Sequence, residues 1–205
     1  EAFIGAMKTH MRSLHMSALQ SAMNELSNHD HSRFLTRTNH KVGRISYAGA
    51  EAASEGVNPA VMREAVAIQM TWPGAPTVYY GDEAGLCGFT DPDNRRTYPW
   101  GREDYQMIDF HRVMIRIHKN YEVLKTGSLG FLWNDYQGLC YARFSRKEQM
   151  IVIINNQAES RDVEIQLWQA GISRLADTKL KRIVVTSAEG FTEEPEEYTA
   201  TAGIL

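Results

Sequence analysis

Two histidines, an aspartate and an arginine lie within the segment SNHDHSR, residues 27–33. His29 and His31 lie on the same side of an extended chain, because side chains alternate along it. With His40 nearby in the sequence, they allow a metal site, although no further ligand stands at a diagnostic spacing. A hydrogen-bonded turn after a strand is the other interpretation, and the residues alone leave both open.

A second polar cluster occupies residues 81–100, GDEAGLCGFTDPDNRRTYPW. So long a connection without regular structure inside a compact domain is usually functional. Its aspartates and arginines supply acceptors and donors for hydroxyl groups, and Tyr98 and Trp100 supply flat apolar rings that suit a sugar face. The part DPDNRR alone could equally be a solvated turn held by aspartate and asparagine side chains.

The elements that position these clusters follow from apolar periodicity and from turn residues. Asn58 and Pro59 are typical of the start of a helix, which continues to the WPGAP turn. Strand, helix and strand joined by short loops indicate a parallel βαβ unit, whose carboxyl edge would hold both clusters. The full prediction for this half is a helix at 3–14, a strand at 21–27, the Pro59 helix, a strand at 77–80 and a helix at 105–119.

After residue 122 the sequence changes to short apolar runs separated by turn residues, which favours antiparallel strands in a sandwich or barrel. The strands are expected in the runs GFLWND, LCYARFS, QMIVIINNQ, DVEIQLW and RIVVTS. The fold class is therefore α/β plus all-β, with one domain at 1–122 and a second at 123–205.

Composition limits the kind of protein. The chain has 205 residues, 43% of them hydrophobic, and a net charge of −3 with both signs interspersed, which favours neither nucleic acid nor a membrane as partner. No apolar run approaches the length of a membrane span. Cys87 and Cys140 have no CxxC spacing, which slightly favours the cytoplasm. Because the chain lacks an initial Met and ends on TATAGIL, we expect a piece of a longer protein.

Several catalytic arrangements have no counterpart in these residues. There is no GxSxG elbow, no glycine-rich phosphate loop, and no plausible base beside either cysteine. We therefore expect no serine or cysteine triad and no cofactor.

Three segments together resemble the later signatures of the α-amylase superfamily, glycoside hydrolase family 13. They are NELSNHDHSRFLT, GAPTVYYGDEAGL and DPDNRRTYPW, in that order and at that spacing. The last is most similar to the neopullulanase, cyclomaltodextrinase and maltogenic amylase branch. The resemblance implies the last two βα units of a (β/α)8 TIM barrel, followed by an antiparallel β-sandwich C-terminal domain.

The resemblance also implies roles for single residues. Asp30 corresponds to the family's third carboxylate, which hydrogen-bonds sugar hydroxyls and stabilises the transition state, and His29 to the histidine at the cleavage subsite. Asp91 and Arg95 resemble residues that hold the neighbouring sugar. A fixed carboxylate beside an imidazole suits an oxocarbenium-like transition state.

Asn28 and Arg33 resemble residues that orient this pair. The family's nucleophile and acid/base follow the fourth and fifth barrel strands, and this sequence has no counterpart to either. The resemblance therefore implies a parent enzyme that cleaves α-glucosidic bonds with retention, while the chain alone is expected to be inactive. An α-glucan is the expected partner, and the incomplete barrel is expected to self-associate.

Two other functions remain open. In the first, Trp133, Tyr136 and Tyr141 form the aromatic platform of a carbohydrate-binding module, although such residues on strands usually belong to a core. In the second, the chain is an interaction domain in which the NHD segment is a structural polar cluster. The long charged loop argues against this function, because a purely structural domain has little use for such a loop.

Overall fold

The computed structural model describes residues 2–205, in which helices dominate the first half and strands the second. The helices are α1 (Ala2–Arg12), α2 (Met16–Ser21), α3 (Phe34–Arg37), α4 (Ile45–Ala48), α5 (Pro59–Thr71), α6 (Tyr105–Asn120) and α7 (Glu122–Thr126). The strands are β1 (Met23–Glu25), β2 (Ala75–Thr77), β3 (Ser128–Asn134), β4 (Gly138–Phe144), β5 (Gln149–Asn155), β6 (Thr178–Lys181), β7 (Val185–Thr186), β8 (Phe191–Thr192) and β9 (Glu197–Ala200).

A parallel strand pair joined by a helix underlies both polar clusters. β1 pairs in parallel with β2, with Asn24 opposite Pro76, and α5 connects them. The α5 helix begins where predicted, because the Asn58 side chain accepts hydrogen bonds from the amides of Ala60 and Val61 at 3.0 and 3.3 Å. The predicted βαβ unit is confirmed.

The bounds of several predicted elements differ. The predicted helix at 3–14 ends at Arg12, and α2, which was not predicted, takes up the start of the first predicted strand. The second strand lies at 75–77 rather than 77–80. The carbonyl of Tyr80 faces a buried arginine instead, at 2.8 Å. The helix at 105–119 was predicted correctly to within a residue.

The main core lies between α5 and α6 and extends into the strand-rich half. Buried residues from both halves contribute to it, among them Met62, Val66, Phe110, Leu124 and Met150. Contacts across the predicted boundary are also polar: the buried Tyr141 hydroxyl lies 2.5 Å from Thr71 Oγ1, and Arg143 donates to the Thr71 carbonyl at 2.8 Å. The boundary at 122 stays a prediction, and the two halves share a packed interface.

The strand-rich half contains antiparallel sheets, as expected, in three separate pieces within residues 2–205. The orders are β3-β4-β5, β6-β9 and β7-β8. The predicted strand at 162–168 was wrong: Gln166 forms only an isolated bridge to Ile204, and Leu167–Ala170 is a 3-10 turn that ends at Gly171 with φ +81°. The run at 182–187 contributes only the two residues of β7.

No helix within residues 2–205 is both long enough and apolar enough to cross a membrane. The β-sandwich arrangement of the second half stays a prediction.

Glu64 on α5 is a half-buried carboxyl group, and burial raises its pKa to about 7. Because the pKa in the folded state exceeds that in the unfolded state, we expect the free energy of unfolding to fall as pH rises from about 4.5 to about 7. A fully buried carboxyl group with this pKa would lose about 3.4 kcal/mol, but solvent screens the half-buried Glu64, so we expect a loss of about 2 kcal/mol, with a plateau above pH 7. Glu64→Gln should remove this loss and raise stability at pH 8, as measured by urea unfolding, while the exposed control Glu159→Gln should not. An unchanged pH profile in Glu64→Gln would contradict the assignment.

Candidate functional site

The turn after β1, residues 28–31, presents the central pair of the site. The Asn28 Oδ1 atom accepts hydrogen bonds from the amides of Asp30 and His31 at 2.9 and 3.2 Å. These bonds close a turn in which Asp30 and His29 are exposed, with side-chain exposures of 66% and 60%. His29 Nε2 lies 3.4 Å from Asp30 Oδ1, so the imidazole and the carboxylate can act on the same ligand. The Asn28 side chain therefore fixes the backbone of this turn.

This geometry gives no support to a metal site at the histidines of this turn. Within residues 2–205 no group of three histidine, cysteine, aspartate or glutamate side chains is placed to hold an ion. The turn instead satisfies its own backbone through Asn28, which is the alternative that the sequence left open.

Arg33 lies beneath the turn and is fully buried. Its Nε donates to the carbonyl of Asn94 at 2.9 Å, and its Nη1 donates to Asp82 Oδ1 at 2.9 Å and to the carbonyl of Tyr80 at 2.8 Å. Its guanidinium also lies 4.5 Å from the ring centre of Tyr79. Arg33 therefore joins the segment after β1 to the connection after β2, named here the β2–α6 loop (78–104).

The β2–α6 loop holds the turn through a second contact. The Asn94 side-chain amide is buried and donates to the carbonyls of Asn28 and His31 at 3.1 and 2.8 Å. The Thr90 hydroxyl donates to the carbonyl of Asp30 at 2.8 Å. Three backbone carbonyls of the turn are thus bound by one loop, which fixes the backbone that carries Asp30.

The two aspartates of the DPDNR motif have different environments. Asp91 and Arg95 form an ion pair in which both side chains are about half exposed. Arg95 ends the 3-10 turn Asp93–Arg95, and Asp91 lies just before that turn. Asp93 is buried, accepts from the Phe89 amide at 2.8 Å and binds Arg96 through both of its carboxylate oxygens. Asp91 and Arg95 can therefore meet a ligand, whereas Asp93 fixes the loop.

Asp82 is the other buried acid of the loop. Burial raises its pKa, and hydrogen bonding to Ser27 and the nearby Arg33 partly oppose that rise. Since its carboxylate is engaged by Arg33 at 2.9 Å, Asp82 is suited to holding the site together rather than to proton transfer.

The structure brings all six predicted residues to one region. Asn28, His29 and Asp30 lie on the turn, Arg33 lies beneath it, and Asp91 and Arg95 lie on the loop that binds it. Sequence reasoning missed the three positioning residues Asp82, Asp93 and Asn94. The close packing of this loop also requires Gly88, where an added Cβ would lie 2.6 Å from the carbonyl oxygen of Asp93.

The aromatic platform proposed for the strand-rich half is not assembled. Tyr141 is fully buried against Trp72, with ring centres 5.2 Å apart. The guanidinium of Arg161 lies over Trp133, 4.7 Å from its ring centre. Of the three residues, only Tyr136 is largely exposed.

Chemically, the site offers the exposed carboxylate of Asp30, the exposed imidazoles of His29 and His31, and the half-exposed Asp91–Arg95 pair. This set can accept and donate hydrogen bonds to vicinal hydroxyls and can place negative charge beside a developing cation. Asp82 and Asp93, by contrast, are engaged by arginines. The set therefore resembles a ligand-binding edge more than a complete pair of catalytic carboxyl groups.

Comparison with known proteins identifies the family. The α-amylase catalytic domain model matches residues 1–172. Amylopullulanase from Thermoanaerobacter thermohydrosulfuricus is 33% identical over 163 residues, covering 71% of this chain and 10% of that protein. Neopullulanase 2 from Thermoactinomyces vulgaris is 34% identical over 158 residues, covering 75% of this chain and 24% of that protein. The chain thus spans about a tenth to a quarter of these relatives.

Solved structures agree on the fold. The debranching enzyme from Nostoc punctiforme, in a crystal soaked with acarbose, superposes on this chain with a TM-score of 0.68 at 21% identity. The superposition covers 99% of this chain and 37% of the debranching enzyme. The family inferred from the NHD, YYGDE and DPDNRR segments is confirmed, and the fold is a TIM-barrel fragment. The chain therefore belongs to the α-amylase family, glycoside hydrolase family 13.

Proposed function

We propose that the chain forms the sugar-contacting edge of a retaining α-glucan hydrolase that cleaves α-1,4 or α-1,6 glucosidic bonds in starch, pullulan or cyclodextrins. The observation that carries this proposal is the exposed Asp30–His29 pair on a turn whose backbone is held by Asn28 and by the β2–α6 loop. Relatives named amylopullulanase, neopullulanase and cyclomaltodextrinase are consistent with these substrates.

In this proposal each exposed residue acts on the glucan. Asp30 accepts hydrogen bonds from sugar hydroxyls and stabilises positive charge that develops on the ring, because a fixed carboxylate does so without reorganisation. His29 hydrogen-bonds the same sugar. Asp91 and Arg95 hold the neighbouring sugar unit, and their mutual ion pair keeps Arg95 oriented before the glucan arrives.

Asn28 and Arg33 are positioning residues in this proposal. Asn28 fixes the backbone of the turn, and Arg33 fixes the loop that carries Asp91. The proposal further assigns residues 1–122 to the last two βα units of the barrel and residues 123–205 to a β-sandwich C-terminal domain. The nucleophile and the acid/base belong to the rest of the barrel, and the chain by itself is inactive.

Binding of maltoheptaose, measured by isothermal titration calorimetry, tests the proposal. Because hydrogen bonds to charged groups contribute about 1.5–3 kcal/mol, we expect Asp30→Ala or Arg95→Ala to weaken binding about tenfold or more. The control Asp109→Ala removes an exposed aspartate on α6, which pairs with Arg112 away from the site, and should bind as the unaltered chain does. Equal affinity in Asp30→Ala and Asp109→Ala would reject the proposed site.

The same proposal predicts self-association through the strands of the incomplete barrel. β1 and β2 pair only with each other within residues 2–205, so each has an edge with unpaired backbone groups, and Met23 on β1 is 64% exposed. We expect the sedimentation coefficient to rise with concentration and Met23→Lys to reduce that rise. A monomer at all accessible concentrations would contradict this expectation.

A further inference from the structure

Trp100 is unusual among the tryptophans of this chain. Its side chain is 79% exposed, whereas Trp72 is buried. Trp133 and Trp168 are only partly exposed, and the guanidinium of an arginine covers a face of each ring. Within residues 2–205 no cation is found over the ring of Trp100. A large indole face therefore meets solvent at the end of the β2–α6 loop.

The Trp100 ring is held in place rather than free. It packs against Tyr98, with ring centres 4.5 Å apart and planes at 48°. The backbone also closes a tight turn: the Trp100 amide donates to the Tyr98 carbonyl at 2.9 Å, and the Arg102 amide donates to the Pro99 carbonyl at 2.8 Å. Gly101 adopts φ +75° within this turn. Such a preorganised ring loses little conformational entropy when a ligand stacks on it.

A cavity with polar side chains lies beside this turn. Its volume is about 530 Å³, within the usual range for small-ligand sites, and Arg96, Thr97, Pro99 and Arg102 line it together with Leu86. Pro99 and Arg102, which line the cavity, flank the Trp100–Gly101 step, so the same turn presents both the cavity wall and the indole. The two guanidinium groups and a threonine hydroxyl supply hydrogen-bond donors for that surface.

The charges around this surface favour a neutral ligand over an anion. The charge of Arg96 is already balanced by the buried Asp93, 2.8 Å away. Burial raises the pKa of Tyr98, and the nearby carboxylates of Glu83 and Glu103 raise it further. An aromatic face, several donors and surrounding negative charge suit a ligand with many hydroxyls and no charge of its own.

We propose that Trp100, Tyr98 and the cavity lined by Arg96 and Arg102 form an additional sugar-binding surface that takes the pyranose rings of an α-glucan, separate from the surface at Asp30. One ring stacks its C–H face on the indole, and its hydroxyls accept hydrogen bonds from the two arginines. In its choice of ligand this inference rests on the proposed function, but it uses none of the residues assigned there.

Tryptophan fluorescence with acrylamide quenching tests this surface in the intact chain. Maltoheptaose should reduce quenching in the unaltered chain and in Asp30→Ala, because the main exposed indole becomes covered. In the Asp30→Ala variant, a second substitution Trp100→Ala should weaken maltoheptaose binding about tenfold, as measured by calorimetry. Trp100→Phe in the same variant keeps an aromatic face and should largely retain the binding. Tyr136→Ala removes an exposed aromatic residue elsewhere and should have no effect.

The outcomes separate this inference from the proposed function. Unchanged quenching together with Asp30-dependent binding of maltoheptaose would overturn the inference and leave the proposed function standing. Absence of both signals would reject both. Protection of the indole by inorganic phosphate but not by maltoheptaose would also overturn the inference, because it would identify an anion site. Circular dichroism of each variant shows whether the fold is kept.

Discussion

Replacing Arg33 with methionine is expected to lower the free energy of unfolding by about 3–5 kcal/mol, the range for breaking a buried ion pair. The substitution leaves Asp82 as a buried charge without its partner and removes the donors to the carbonyls of Tyr80 and Asn94. Methionine fills a similar volume, so the effect reports lost polar contacts rather than a cavity. Urea unfolding followed by circular dichroism measures it.

Two matched variants sharpen this prediction. Arg112→Met removes an exposed ion pair with Asp109 and should change stability by less than about 1 kcal/mol. Arg33→Met combined with Asp82→Asn removes the uncompensated charge and should recover part of the loss. A loss in Arg33→Met no larger than that in Arg112→Met would show that Arg33 does not join the two segments of the site.

Purified chain is expected to release no reducing sugar from soluble starch, pullulan or cyclodextrin. Retaining hydrolysis requires two carboxyl groups about 5–5.5 Å apart, one as nucleophile and one as acid and base. In the candidate site Asp30 is the exposed carboxylate beside His29, while Asp82 and Asp93 are engaged by arginines. Asp91 is already paired with Arg95. We therefore expect binding without turnover.

A reducing-end assay over long incubation tests this expectation, with a commercial α-amylase as the positive control and Asp30→Ala chain as the matched protein control. Turnover by the chain above the level of Asp30→Ala would show that the described residues contain a complete active site. Equal turnover in both proteins would show a catalytic group that does not depend on Asp30. Either result would contradict the inactivity that we propose.

Local signals in the sequence were sufficient for the elements that carry the site. The Asn58 side chain caps α5, which begins where that residue predicts, and α6 begins at Tyr105 as its apolar periodicity predicts. The turn at 28–31 is also a local structure, closed by Asn28 onto amides two and three residues later. Because these interactions are close in sequence, no knowledge of the tertiary fold was needed to expect them.

The parts that sequence reasoning missed depend on distant partners. Arg33 was expected to support the site, but its burial depends on Asp82 and Asn94, which follow 49 and 61 residues later. The neighbouring residues in the sequence do not indicate that Asp93 is buried while Asp91 is exposed. Apolar residues at every second position, Val163, Ile165 and Leu167, are typical of a strand. In the structure, however, Ile165 exchanges backbone hydrogen bonds with the distant Leu205, and a 3-10 turn begins at Leu167.

The most direct test of the central claim is chemical-shift mapping of the isotope-labelled chain during titration with maltoheptaose. We predict that the backbone amides of residues 28–31 and of the segment 90–95 shift together, with one dissociation constant, while those around Tyr136 and along β3–β5 stay in place. Shifts centred on β3–β5, with residues 28–31 unchanged, would contradict the account and identify the chain as a carbohydrate-binding module instead.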